Sequence, residues 1–353
     1  MSVNIDLEDP SIYRDLVLLY CPKKVGSTSV VSSIRLYASD KYYVLHTHNN
    51  TVFRTGLPYK NLTVRDILKN NCVLNKLTNE PRKIYVIDIF RTPIERKISE
   101  YFEDLVTVHF NNLPENLINY PLEKVINRFN DIFPYISTTD YYKDIYNVPY
   151  PKEFDFENKY LLYTSNNITW IKLRLQDSDE WSSILTKILG TEIKILKDYQ
   201  TENKNIGVLY EKIKKDYKLP YNYFQLISNL DELNYYLNDQ EKEEYLEKWN
   251  KKIIGIYNSF SKNEFNLYVK ISNENQFYTI TKSRHYFDNG CICKLCFENR
   301  NKIIQIMNNN KKIFNLKKYV PILHENNSDY KCNIFIKCFY DDGKIVDMVY
   351  QVY

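Results

Sequence analysis

Alanine is almost missing from this chain: among 353 residues Ala38 is the only one, while tyrosine occurs 33 times. That skew matches an AT-rich coding sequence and excludes nothing about activity. Other absences exclude more. No stretch approaches the ~20 consecutive apolar residues that a membrane-spanning helix needs. The first twenty residues mix acids with short apolar runs and lack the basic start and apolar centre of a secretory leader. The protein is therefore expected to stay where it is made, in a cytoplasm, with a bacterial or viral setting left open. Charge of one sign is also scarce, since 48 basic and 44 acidic residues leave a formal net of +4. Nucleic-acid binding is not expected from so even a balance, although a local cationic pocket for a small anion is compatible with it. Seven cysteines, an odd number scattered along the chain, fit reduced thiols rather than a disulfide framework.

What is present reads as a folded protein, 44% hydrophobic and 26% charged with both signs interspersed. Residues 15–21 form an apolar run ended by Pro22, the pattern of a strand buried on both faces of a parallel sheet. Val30, Val31, Ile34 and Leu36 then recur at helical spacing, with Thr28 or Ser29 expected as the cap. Lys41–His48 reads as a second strand, Thr63–Asn70 as a helix, Lys83–Phe90 as a third strand, and Thr92–Phe102 as a helix with Pro93 in its first turn. From about Glu103 to Lys159 prolines and aromatics break the pattern. Ile168–Asp177 reads as a strand, Asp179–Gly190 as a helix closed by its glycine, and 209–217 and 239–252 as further helices. The alternation predicts an α/β fold, a three-layer arrangement around a central parallel sheet, over residues 1–260. Short alternating segments over 261–353 predict a small β-rich C-terminal module.

Two stretches carry chemistry. In "CPKKVGSTS" a strand passes through a loop into a helix, a junction where free backbone N–H groups and the positive end of a helix dipole bind phosphate or sulfate. The two bracketing glycines and trailing lysine of a Walker loop are missing, which weakens an ATPase or GTPase reading. In "IDIFRTPIERKISEYF", Arg91 ends a buried strand and Ser99 follows eight positions later on the next helix. Ligands of open parallel sheets bind outside the carboxyl ends of strands, so both stretches are expected to face one crevice and to hold two separate anionic groups.

With both stretches in view, the sequence resembles the sulfotransferases that use 3′-phosphoadenosine 5′-phosphosulfate. The family's 5′-phosphosulfate loop, Lys-x-Gly-[Thr/Ser]-[Thr/Ser], is matched by Lys24, Val25, Gly26, Ser27 and Thr28, with Ser29 adjoining. Its 3′-phosphate element, Arg-x-Pro-x-x-Arg-x-x-Ser-x-Tyr, is matched by Arg91, Pro93, Arg96, Ser99 and Tyr101. Pro22 stands one residue further from the glycine than usual, with Lys23 between, and spacing to Gly26 favours Lys24 over Lys23. The variant "VGSTS" looks most like sulfotransferase-related proteins of capsular polysaccharide synthesis. The resemblance covers roughly three quarters of the chain. It implies a P-loop-like fold, the phosphosulfate as donor and adenosine 3′,5′-bisphosphate as product, no required metal, and a hydroxyl acceptor, most plausibly on a carbohydrate. It also implies that Lys24 stabilises the leaving phosphate.

For the acceptor's proton, "VLHTHNN" offers His46 and His48, two positions apart and hence on one side of a strand. His48 is favoured as general base with His46 beside it, as in the uronyl 2-O-sulfotransferases that this stretch resembles. Alternatives are a kinase-like phosphotransferase, which lacks its lysine here, and a non-enzymatic scaffold for glycans or partners. In the tail, His285, Cys291, Cys293 and Cys296 are zinc-type ligands in a spacing that is not the usual pair of Cys-x-x-Cys.

Overall fold

The computed structural model describes residues 14–48, 82–110, 114–197, 204–263 and 265–266, together with the backbone of strands at 286–287, 315–320, 322–323, 332–339 and 345–352. The helix expected at Thr63–Asn70, the tail segments beyond Asn266 and at 276–281, and the cluster His285, Cys291, Cys293 and Cys296 lie outside the described residues.

The chain divides into two units that interleave along the sequence: Met1–Arg96, Thr138–Gln200 and Ile227–Lys248 in the first, Lys97–Ser137, Thr201–Leu226 and Trp249–Tyr353 in the second. The first is α/β. Its apolar runs form β1 (Asp15–Tyr20), β2 (Tyr42–Thr47), β3 (Ile84–Phe90), β4 (Tyr160–Ser165) and β5 (Ile168–Arg174) in one sheet of order β2-β1-β3-β5-β4. All neighbours pair parallel except β4, which returns antiparallel on the edge beside β5. The β4–β5 hairpin turns through Asn166 and Asn167, with Asn166 at φ 54°, a left-handed geometry that asparagine tolerates.

Helix α1 (Ser27–Tyr37) connects β1 to β2, and it covers one sheet face with Val30, Val31 and Ile34 against Val17, Leu19, Ile87 and Ile171. Its cap is Gly26 at φ 86°, not the expected Thr28 or Ser29, and no side chain caps it. Because the chain leaves β1 toward β2 on one side and β3 lies on the other, β1 and β3 flank the topological switch point where sheet ligands collect.

Helix α2 (Pro93–Asp104) follows β3 with proline at its first position, as expected. The stretch from Glu103 to Lys159 is more regular than expected. It holds α3 (Pro114–Leu117), α4 (Leu122–Ile132) and α5 (Tyr141–Asp144). Beyond β5, α6 (Trp181–Leu189) ends at Gly190 with φ 63°, the left-handed closure expected there. The remaining helices are α7 (Gly207–Asp216), α8 (Tyr221–Ser228), α9 (Asp231–Tyr236) and α10 (Asp239–Asn250).

The second unit is built on aromatic packing. Tyr101, Phe129, Phe133, Tyr217 and Tyr223 are buried in contact with one another. The hydroxyls of Tyr217 and Tyr223 donate to the side-chain and main-chain oxygens of Asn130, at 2.9 and 2.6 Å. Its tail strands β6 (Asn315–Val320), β7 (Cys332–Phe339) and β8 (Ile345–Val352) form an antiparallel sheet of order β8-β7-β6. Among the described residues no helix is long and apolar enough to cross a membrane.

Candidate functional site

The site is assembled at the carboxyl ends of β1, β2 and β3. After Tyr20 the chain turns through Cys21, Pro22, Lys23, Lys24, Val25 and Gly26 before α1 begins. Two of these residues are left-handed, Lys24 at φ 62° and Gly26 at φ 86°. A Cβ at residue 26 would lie 2.8 Å from Leu175 Cδ1 and 3.1 Å from Trp181 Cη2, so the position excludes a side chain by both backbone angle and space. Val25 points into the core and is fully buried. Its burial pins the loop while Lys24, Thr28 and Ser29 stay half-buried at the surface. With no acid in its first turn, α1 presents uncompensated positive dipole at this loop.

Arg91, the first residue after β3, donates from Nη1 to the Lys24 carbonyl at 2.7 Å. The two cationic stretches singled out in the sequence thus meet at the switch point within one unit. The rest of the Arg91 stretch makes these contacts. Arg96 is buried and donates to the Thr139 carbonyl at 3.3 Å. Ser99 and Tyr101 are buried on the part of α2 that belongs to the second unit, and there the Tyr101 hydroxyl donates to the Val125 carbonyl at 2.9 Å.

His46 and His48 flank the other side of the loop. Their rings stand edge to face with centroids 4.5 Å apart. His46 Nε2 is 3.0 Å from Ser27 Oγ, the first hydroxyl of α1. His48 Nδ1 lies 2.9 Å from the Cys21 carbonyl, which requires that this nitrogen carry the proton. The His48 carbonyl in turn accepts from the Tyr141 hydroxyl at 2.7 Å. The neighbouring Tyr146 hydroxyl donates to the Tyr20 carbonyl. The aromatic stretch between Glu103 and Lys159 therefore sends two phenols to the ends of β1 and β2.

Sequence reasoning missed the group that holds Tyr141 in place. Asp88 on β3 and Lys172 on β5 stand opposite one another in the parallel register. Lys172 Nζ lies 2.7 Å from Asp88 and 2.8 Å from Asp140, and all three are buried. Asp140 caps α5 by accepting from the Lys143 N–H at 3.2 Å, and it also receives the Tyr236 hydroxyl. Asp88 accepts the N–H groups of Ile89 and Tyr142, at 2.7 and 2.9 Å. One cation between two carboxylates leaves an excess negative charge in a dry place, and these donors offset it. Burial, with Asp140 adding repulsion against the pull of Lys172, pushes the Asp88 carboxyl up to about 6. Burial would raise Asp140 as well, but attraction and hydrogen bonding from Lys172, then the Tyr236 hydroxyl, hold it below the usual carboxylate range. The visible signal was charge inside two otherwise apolar strands, Asp88 in "IDIF" and Lys172 and Arg174 in "IKLRL".

This split has a measurable sign. Between about pH 4 and 6 the folded Asp88 binds more protons than its unfolded counterpart, so its penalty, ~3 kcal/mol when fully ionised, fades as pH falls. The lowered Asp140 loses its contribution only below its ordinary range. Asp88→Asn is accordingly expected to remove a stabilisation that the wild type gains on acidification from about pH 6.5 to about 4.5, read from urea unfolding across that series. An identical pH slope in both proteins would remove the assignment.

Comparison with known proteins returns no match: no family model, no curated protein and no solved structure is similar to the chain.

Proposed function

We propose that the chain is a sulfotransferase with a P-loop-like donor site, moving a sulfuryl group from 3′-phosphoadenosine 5′-phosphosulfate to a carbohydrate hydroxyl. The observation that supports this reading is the hydrogen bond from Arg91 to the Lys24 carbonyl, since a donor with two anionic ends needs the Lys24 loop and the end of β3 side by side. In the proposed transfer the acceptor oxygen forms its bond to sulfur as the bond from sulfur to the bridging oxygen breaks in line. Lys24 and the first N–H groups of α1 stabilise the charge that grows on that oxygen. The acceptor's proton passes to His48, or to His46 in its place, and adenosine 3′,5′-bisphosphate departs. Ser27 supports the histidine arrangement by its 3.0 Å contact with His46 Nε2. Phenol faces from Tyr141 and its neighbours suit a sugar ring, whose apolar side stacks on aromatics.

The test is binding of the product. Adenosine 3′,5′-bisphosphate at about a hundred times its dissociation constant is expected to stabilise the protein by ~2.7 kcal/mol, a rise of several degrees in melting temperature. ATP with magnesium is expected to give a much smaller rise. Arg91→Ala should abolish most of the bisphosphate effect. A melting temperature indifferent to the bisphosphate, or a full shift retained by Arg91→Ala, would exclude the donor site.

A further inference from the structure

The same strand ends hold a second kind of chemistry, which draws on the histidines of the transfer reading, because an imidazole bound to a metal cannot at the same time take up an acceptor's proton. The β1–β2 ladder runs from Asp15↔Tyr42 to Tyr20↔Thr47, so Cys21 and His48 each stand one residue beyond its last pair, side by side. His46, two positions back on β2, projects to the same side as His48. The Cys21 sulfur and one ring nitrogen from each histidine lie within 4.8 Å of one another. We propose that Cys21, His46 and His48 form a binding site for a zinc-type divalent cation.

The ligand set decides the cation class. One sulfur and two imidazoles suit zinc, whereas magnesium and calcium demand oxygen. Tetrahedral zinc, with bonds of ~2.0–2.3 Å, sets its ligand atoms ~3.5 Å apart, so the trio closes by about 1 Å. The two imidazoles are half-buried and can rotate to supply that movement, while Cys21 is fixed in the core. Outer contacts of the kind that orient metal ligands are in place. The Cys21 carbonyl accepts from His48 Nδ1, Ser27 Oγ meets His46 Nε2, and the Ser27 hydroxyl also hydrogen-bonds the Cys21 side chain. Three protein ligands leave a fourth coordination position for water or an added ligand.

The experiment uses the full chain with Cys291, Cys293, Cys296, Cys332 and Cys338 each changed to Ser, which removes the tail thiols as competitors. Titration with Co²⁺, a spectroscopic probe for such sites, is expected to give one equivalent bound per chain with a sulfur-to-cobalt charge-transfer band that excess Zn²⁺ bleaches. Cys21→Ser should remove the band, and His48→Gln, which deletes a ligand, should weaken binding by more than the roughly hundredfold that loss of an outer partner costs. Should Cys21→Ser fail to fold, the His48→Gln titration decides alone. No cobalt bound, or binding and band unchanged by His48→Gln, would overturn the site. Because the readout is absorbance rather than transfer, its failure leaves the donor-site reading untouched.

Discussion

Lys172→Met is expected to lower the stability of the protein by about 3–5 kcal/mol, because it strands two carboxylates in the interior. Lys172 is 1% exposed on its side chain, and its partners Asp88 and Asp140 are 0% and 2% exposed. Methionine fills much of the same volume, so the loss isolates charge from packing. The freed carboxyls can escape only by taking up protons. The deficit is therefore expected to shrink as pH falls, and urea unfolding near pH 7 and near pH 5 should show it. In the double variant Lys172→Met with Asp88→Asn the cost should be well below the sum of the two single changes, since one orphaned charge has been removed. A loss under ~1 kcal/mol at neutral pH would mean that water reaches the cluster and that its burial has been misjudged.

The second large effect belongs to the loop. If Lys24 stabilises the leaving phosphate, Lys24→Ala should lower the rate of sulfuryl transfer by about a hundred- to a thousandfold, the range seen when one preorganised donor to a developing anion is removed. The fold should survive, because the Lys24 side chain is half-buried at the surface and its carbonyl, which Arg91 uses, is retained by alanine. Transfer from labelled donor to a panel of glycans and small phenols, with melting temperature alongside, gives the measurement. A folded Lys24→Ala protein with undiminished transfer would take the lysine out of the mechanism. A matching result for Lys23→Ala instead would move the role by one residue.

The parts of the fold that were legible share one property: their burial is local. Leu16 to Tyr20 is apolar throughout and Ile84 to Phe90 is apolar except at Asp88, and each is closed by a turn that proline or glycine announces within a few residues. Prolines misled the reading of 103–159 for a physical reason. Pro121 caps α4 and Pro134 follows its last residue, so they bound an 11-residue helix rather than interrupting one. The β4 edge, Tyr160–Ser165, was not assigned because most of it is half-buried or exposed and its apolar run is short; the two-residue turn at Asn166 and Asn167 is the signal that announces it. At the site, the His46 and His48 pair was legible because spacing along a single strand fixes it. Cys21 joining them, and Asp88 facing Lys172, depend on pairing between strands far apart in sequence, and no single segment encodes that.

The contact beneath Gly26 reaches further than the loop. Since Leu175 and Trp181 occupy the space that a Cβ would need, the residue at 26 is not free to drift on its own. Any descendant of this chain that acquires a side chain there must first carve room by trimming one of those two neighbours and must also accept a left-handed residue. Such variants should arise as linked changes at 26 and at 175 or 181, and a library randomised at position 26 alone should return glycine.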